Sequence, residues 1–288
     1  AELFRQQIED YEAETQRQRT AGLLSRDALQ DRLQVQAVLR QWEGELRRAT
    51  AASTQPAFDL LREQFRSLAN QREVAQKMAG DALEAAFDFM EQAFAEINPC
   101  HIACCNWPGE FPYAPEVSFR MFHTGAYLML RFDVAERWTM ARVTEDNGEV
   151  WTDSCVEFFI APDDSGYYYN FECTCIGRLL VGFRREREHA THATPRVMES
   201  ILRNPSLGPR PFPEHEGDNR WSVVLAIPPQ ALFMHSLTDW SGLKAKVNLY
   251  KCGDKLSQPH FLSWKPIAAP KPDFHLPEFF EQIKFSKI

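Results

Sequence analysis

The sequence predicts a two-part α + β protein: an N-terminal helical bundle or hairpin over residues 1–97, then an antiparallel β-sandwich over residues 98–288. Three observations predict it. Composition changes near residue 98: before it stand one proline (Pro56), three glycines and no cysteine, after it the other 17 prolines, ten glycines and all seven cysteines. Apolar residues recur at helical spacing before the boundary and alternate with polar ones after it. The alternating runs are short and parted by proline- and glycine-rich breakers. Few helices of crossover length separate them, which fits antiparallel pairing.

The first part is rich in Gln, Arg, Glu, Ala and Leu, all good helix formers. One apolar set is Leu24, Leu29, Leu33, Val35, Leu39 and Trp42; a second is Phe58, Leu61, Phe65 and Leu68; a third is Ala82, Phe87, Met90 and Phe94. Residues 51–56 (AASTQP) interrupt the pattern, with Ser53 or Thr54 as an N-cap and Pro56 close to the first turn. Helices with one apolar stripe need partners, so a bundle is expected, with a homo-oligomer as its natural extension. Residues 33–90, with FDLLREQFRSLANQREV, resemble a family of small all-helical bacterial regulators first described in competence control. A helical spacer or oligomerisation module is the plainer reading.

The second part reads as strands. Residues 126–134 (AYLMLRFDV) place Leu128, Leu130, Phe132 and Val134 on one face. Residues 156–160 turn Val156, Phe158 and Ile160 inward and Glu157 outward. In residues 167–175 (YYYNFECTC), Tyr169, Phe171 and Cys173 share one face, Asn170 and Glu172 the other. Residues 221–227, 245–250 and 260–264 are further strands, and 184–202 a long excursion with one short helix.

A net charge of −8 and a pI near 5.6 argue against nucleic-acid partners and anionic membranes. No apolar run approaches the roughly 18 residues of a membrane span, and residues 1–18 lack the apolar core of a secretory leader. An odd number of cysteines reads as free thiols and favours a cytoplasmic location. Cys100, His101, Cys104 and Cys105 suggest zinc, but no paired C-x-x-C pattern accompanies them.

Six of the seven tryptophans fall in the sandwich half. An indole face packs against the C–H face of a pyranose, and a few aimed polar groups fix its hydroxyls. Most tryptophans of a sandwich are core residues, but Trp151 and Trp264 sit at strand ends beside polar loops. Trp151 opens VWTDSCVEFFI after the turn-like EDNG; Trp264 ends HFLSW before KPIAAPKPDFH.

Residues 98–288 resemble carbohydrate-binding module family 9, especially its stand-alone bacterial branch. The resembling stretches are NWPGEFPYAPEVSFRMFHTG, TEDNGEVWTDSCVEFFI, YYYNFECTCIG, VNLYKCGD and PHFLSWKPIAAPKPDFHLPEFF, in family order. The resemblance implies a non-catalytic module in which two tryptophans, here Trp151 and Trp264, sandwich a terminal sugar. An acidic residue six positions after the first, here Glu157, then holds hydroxyls. Asn170, Glu172 and Asn248 are outward polar residues on neighbouring strands. The arginine that xylanase-attached modules place near Asn170 is missing from YYYNFEC, which points to a different sugar or to a site that has lost affinity. The expected partner is a mono- or oligosaccharide. No cofactor is required, although calcium stabilises some relatives, and Glu145, Asp146, Asp163 and Asp164 offer oxygens; ordinary solvated turns are the preferred reading of them.

Four rivals stand beside this. Glu157 paired with Glu172 or Asp153 would suit a glycoside hydrolase, whose carboxyls lie about 5–10 Å apart. A vestigial sandwich with a working helical half would be a structural protein. His123 with Met129 could ligate haem, as in sandwiches of the wider superfamily, and His189 with His192 a metal, though an exposed basic loop explains the last pair.

Overall fold

The computed structural model describes residues 2–20, 29, 32–33, 35–37, 39–40 and 90–287, and the chain divides into two units between Glu96 and Ile97. In the first unit, helix α1 (Glu2–Thr20) carries Arg17 and Arg19 in its last turn, where positive charge favours the carbonyl end. Ile8 and Thr15, seven residues apart, are the most buried of its described side chains. The described residues of 29–40 are helical, and Arg40 reaches Glu12 at 2.6 Å. Residues 90–95 form another helical stretch that buries Met90 and Phe94, one turn apart. The bundle expected for 1–97, its break at 51–56 and the self-association built on it lie mostly outside the described residues.

The second unit is an antiparallel sandwich. Its strands are β1 (Cys100–His101), β2 (Cys104–Cys105), β3 (Glu116–His123), β4 (Leu128–Ala141), β5 (Cys155–Ala161), β6 (Tyr168–Thr174), β7 (Leu179–Arg184), β8 (Thr191–His192), β9 (Leu202–Pro205), β10 (Phe212–Ile227), β11 (Lys244–Cys252), β12 (Phe261–Ser263) and β13 (Glu281–Lys284). One sheet runs β1-β3-β4-β10-β9. The other runs β2-β12-β11-β5-β6-β7-β8, with β13 sharing the β12 edge of β11. The excursion after β7 holds β8 and helix α2 (Pro195–Ser200), started by proline at its first turn. β3 and β7 lie outside the predicted runs; β7 (LLVGFR) is apolar on both faces, so no alternation marks it.

The inner faces meet as one core. Leu128, Leu130, Phe132 and Val134 oppose Val156, Phe158, Ile160, Tyr169, Phe171 and Cys173, all fully or nearly fully buried. A charged pin crosses this core. Lys251 Nζ of β11 sits 2.9 Å from Glu136 Oε2 of β4, both inaccessible to solvent. Trp221 Nε1 donates to Glu136 Oε1 at 2.7 Å, and Lys251 also contacts His260 Nε2 at 2.7 Å. Burial beside that ammonium holds His260 well below its ordinary pKa, so it is neutral.

Candidate functional site

The larger sheet is buried on its outer face as well. Two cross-strand rows run over that face: Tyr250, Glu157, Glu172 and Leu180 across β11, β5, β6 and β7, then Asn248, Phe159, Asn170 and Gly182. The chain after β12 straps down on them. Tyr250 stacks on Phe274 with centroids 4.2 Å apart and planes 7° from parallel. Trp107 Nε1 donates to Ala269 O at 2.8 Å, and Tyr168 Oη meets His275 Nδ1 at 2.9 Å. Asn248 donates to Lys265 O and Phe279 O and accepts from Lys265 N. A second apolar cluster results, including Phe159, Tyr168, Tyr250 and Phe280. Glu157, Asn170, Glu172 and Asn248 do point away from the main core, as predicted. The strap covers this outer face, so all four are at most 4% exposed.

Where the strap stops short, a cleft of about 520 Å³ opens. Its floor includes Glu157, Glu172, Leu180 and Cys252; Trp151, Phe261, Phe274 and His275 supply aromatic walls, and Arg184, Arg187 and Asp254 polar ones. Trp151 sits on a single 3-10 turn (Val150–Thr152) anchored by buried Val150. Its carbonyl accepts from Asp254 N at 3.1 Å, tying the turn to the end of β11. The preceding turn uses Asn147 at φ 58°, a left-handed conformation that asparagine tolerates. Its side chain accepts from Val181 N and donates to Ala193 O.

The floor is oriented by its neighbours. Cys252 Sγ donates to Glu157 Oε1 at 3.0 Å. Arg184 Nε donates to Asn170 Oδ1 at 2.9 Å, and Asn170 Nδ2 donates to Glu172 Oε1 at 2.8 Å. The chain Arg184–Asn170–Glu172 needs glycine at 182, because a Cβ there would lie 2.6 Å from Asn170 Oδ1. Burial, then the neighbouring Glu172 charge, lifts the Glu157 carboxyl well above the ordinary range. Burial lifts Glu172 to about 7 and Asp254 to about 6. Desolvation and the charges of Arg184 and Arg187 push His275 down to about 3.

Of the predicted site residues, Trp151, Glu157 and Glu172 meet in the cleft. Asn170 lies behind Glu172 and positions it; Asn248 is spent fastening the strap. Trp264 does not line the cleft. Strand parity decides this: Leu262 and Trp264 turn toward the inter-sheet core, and Trp264 packs edge-on against Phe119 at 5.5 Å, whereas Phe261 turns to the cleft side. An arginine does stand near Asn170, but it comes from the next strand: Arg184 of β7. The glycine before FRR was the one signal of that approach.

Among the described residues, the candidate calcium and zinc residues do not bring three or more ligand atoms together. Asp146 pairs with Arg203 at 2.7 Å, Asp163 with His235 at 3.1 Å and Asp164 with Lys246 at 2.7 Å, while Glu145 is exposed. The candidates thus fall in two turns, Glu145 with Asp146 and Asp163 with Asp164, and Asp146 and Asp164 are paired with Arg203 and Lys246. Cys104 and Cys105 direct their thiols to the carbonyls of Trp264 and Phe111, away from a shared centre. His123 uses both ring nitrogens, on Ser286 Oγ and Gly125 N, so it offers haem no lone pair. His189 is exposed beside Glu186, and His192 lies on the cleft rim. Asp153 clamps a turn by accepting from Arg142 N and Val143 N, and is absent from the cleft.

An antiparallel sandwich whose strap leaves one aromatic and carboxyl-floored cleft has the architecture of a ligand-binding module. The chain belongs to Carbohydrate-binding family 9, whose sequence profile matches residues 86–285. It is similar, at 42% identity, to a protein from Bacteroides uniformis ATCC 8492 whose proposed role is carbohydrate binding; the likeness covers 72% of this chain and 92% of that one, with a TM-score of 0.66. Family 9 modules from Caldicellulosiruptor kristjanssonii, solved with glucose and with cellotriose, are 10% identical with a TM-score of 0.44, over 68% of this chain and 87% and 86% of theirs. No curated protein matches the chain.

Proposed function

We propose that the cleft holds one saccharide unit non-covalently, with a sugar ring packed on Trp151 and its hydroxyls on Glu157, Glu172, Arg184 and Asp254. The observation that carries this is the convergence of an accessible indole with buried, individually oriented carboxyls in one cavity. Its volume falls within the roughly 300–1,000 Å³ of small-molecule pockets. A carboxyl held protonated, as burial favours for Glu157, both donates to and accepts from hydroxyls. Phe261 and Phe274 offer further apolar surface in place of Trp264. Family membership and the 42% identical relative support the ligand class.

Intrinsic tryptophan fluorescence during titration with mono- and oligosaccharides tests the reading. A saturable change is expected for at least one sugar, and Trp151→Ala weakens binding by about 1–3 kcal/mol, roughly five- to 150-fold, with near-unchanged thermal stability. A folded protein flat across a broad panel, or wild-type affinity in Trp151→Ala, would overturn it.

One observation favours a second reading, hydrolysis: Glu157 and Glu172 are direct cross-strand neighbours with raised pKa values. Binding accounts for them better. A retaining or inverting pair uses one protonated and one readily ionised carboxyl, and burial here lifts both. Release of reducing ends from oligosaccharides, lost in Glu157→Gln, would favour hydrolysis.

A further inference from the structure

At the cleft floor, Glu157 belongs to a group with two thiols, Cys155 and Cys252, to which the saccharide reading gives no role. Cys252 and Cys155 face each other across β11 and β5, and Glu157 stands two residues along β5 on the same outer face. One ligand atom from each, two thiol sulfurs and a carboxylate oxygen, lie within 4.8 Å of one another, and Cys252 Sγ is 3.0 Å from Glu157 Oε1. All three residues are at most 3% exposed. Among the described residues this is the one such convergence of His, Cys, Asp and Glu side chains.

We propose that Cys155, Cys252 and Glu157 form a site for a thiophilic divalent cation, zinc or a close analogue, at the base of the cleft. The geometry fits. Tetrahedral zinc, with Zn–S near 2.3 Å and Zn–O near 2.0–2.2 Å, holds its ligand atoms about 3–4 Å apart, so side-chain rotation within the strand pair suffices. Soft thiolates select zinc over calcium or magnesium. Three protein ligands leave the fourth position open, and because Glu157 and Cys252 line the cleft, it faces the ligand space. Binding converts both thiols to thiolates and releases two protons to solvent, plus a third from Glu157 where it is protonated. The ion also neutralises negative charge that burial otherwise disfavours. No redox step is involved.

The test uses the full chain, reduced and chelator-stripped, titrated with Co²⁺ and then with Zn²⁺, without sugar, so its outcome is independent of the saccharide reading. One equivalent is expected, with the thiolate-to-cobalt charge-transfer absorption of a tetrahedral two-sulfur site that Zn²⁺ abolishes. Cys155→Ser and Cys252→Ser lose that absorption. Glu157→Gln keeps it but weakens binding tenfold or more, and the Cys100→Ser/Cys104→Ser/Cys105→Ser triple variant behaves as wild type. Wild-type protein lacking the charge-transfer band overturns the proposal whether or not the variants fold. So does a band that survives in Cys155→Ser or vanishes in the triple variant.

Discussion

Trp151 and Trp264 separate by environment although both follow the same local logic of an indole beside a polar loop. Trp151 stands on a short turn at the cleft wall, so its loss subtracts a ligand surface. Trp264 packs against Phe119 between the sheets, with Lys265 Nζ 4.4 Å over its ring. Trp264→Ala is therefore expected to cost about 2–4 kcal/mol of stability, somewhat less than the roughly 3–5 kcal/mol of a core aromatic because Trp264 is only partly buried. Its sugar affinity, measured on folded protein, should stay near wild type. Denaturant unfolding alongside the fluorescence titration separates the two; a binding loss without destabilisation would return Trp264 to the cleft. Glu157 shows the same dependence on surroundings. Alternation in VEFFI correctly turned it from the main core, but nothing local states that a second layer covers the other face.

Among the elements, the strap over residues 264–280 decides what the larger sheet's outer face can do. It is fastened by Asn248, Trp107 and the Tyr250–Phe274 stack, and one fastening titrates: His275 is neutral in the folded chain, bonded to Tyr168 and facing Arg184 and Arg187. Its folded pKa of about 3 lies below the unfolded value near 6.5. Between those values the unfolded chain binds the extra proton, so this group's contribution to stability is complete above about pH 6.5 and is lost as pH falls. By pH 5 the loss amounts to about 1–2 kcal/mol. His260, also held neutral, acts in the same direction, while Glu157 and Glu172 act oppositely because their folded pKa values are raised. Comparison with His275→Asn isolates the strap: the variant should lose less stability than wild type between pH 7 and pH 5 in urea unfolding. Equal losses would show that His275 does not carry this linkage.

Across the whole sandwich, the Glu136–Lys251 pair is the one buried charge pair joining the two sheets among the described residues. Its worth is best read from its removal. Lys251→Met leaves a carboxylate with Trp221 and Thr139 as its remaining donors, and should destabilise by about 3–5 kcal/mol. Lys251→Met with Glu136→Leu removes both charges and should recover most of that loss, since an apolar pair of similar volume is often neutral or better. A double variant no more stable than the single one would mean the pair's hydrogen-bond network, rather than unpaired charge, is what the core requires. The pin also lies one residue from Cys252, so it fixes the end of β11 that supplies the cleft floor.

Local pattern determined the sandwich half of this protein: six strands, their inward faces and the outward set Glu157, Asn170, Glu172 and Asn248 were legible because alternation reports which face of a strand meets the core. The VWTDSCVEFFI run likewise marked Trp151 and Glu157. Tertiary structure alone decided which outward residues form a site. Coverage by the strap buried the carboxyls and raised their pKa values, parity in β12 exchanged Trp264 for Phe261, and the neighbouring β7 brought Arg184 to Asn170. Cys155 and Cys252, 97 residues apart, became neighbours only through strand pairing. Each of these depends on contacts between segments distant in sequence, and a periodicity read along one strand carries no information about what packs across it.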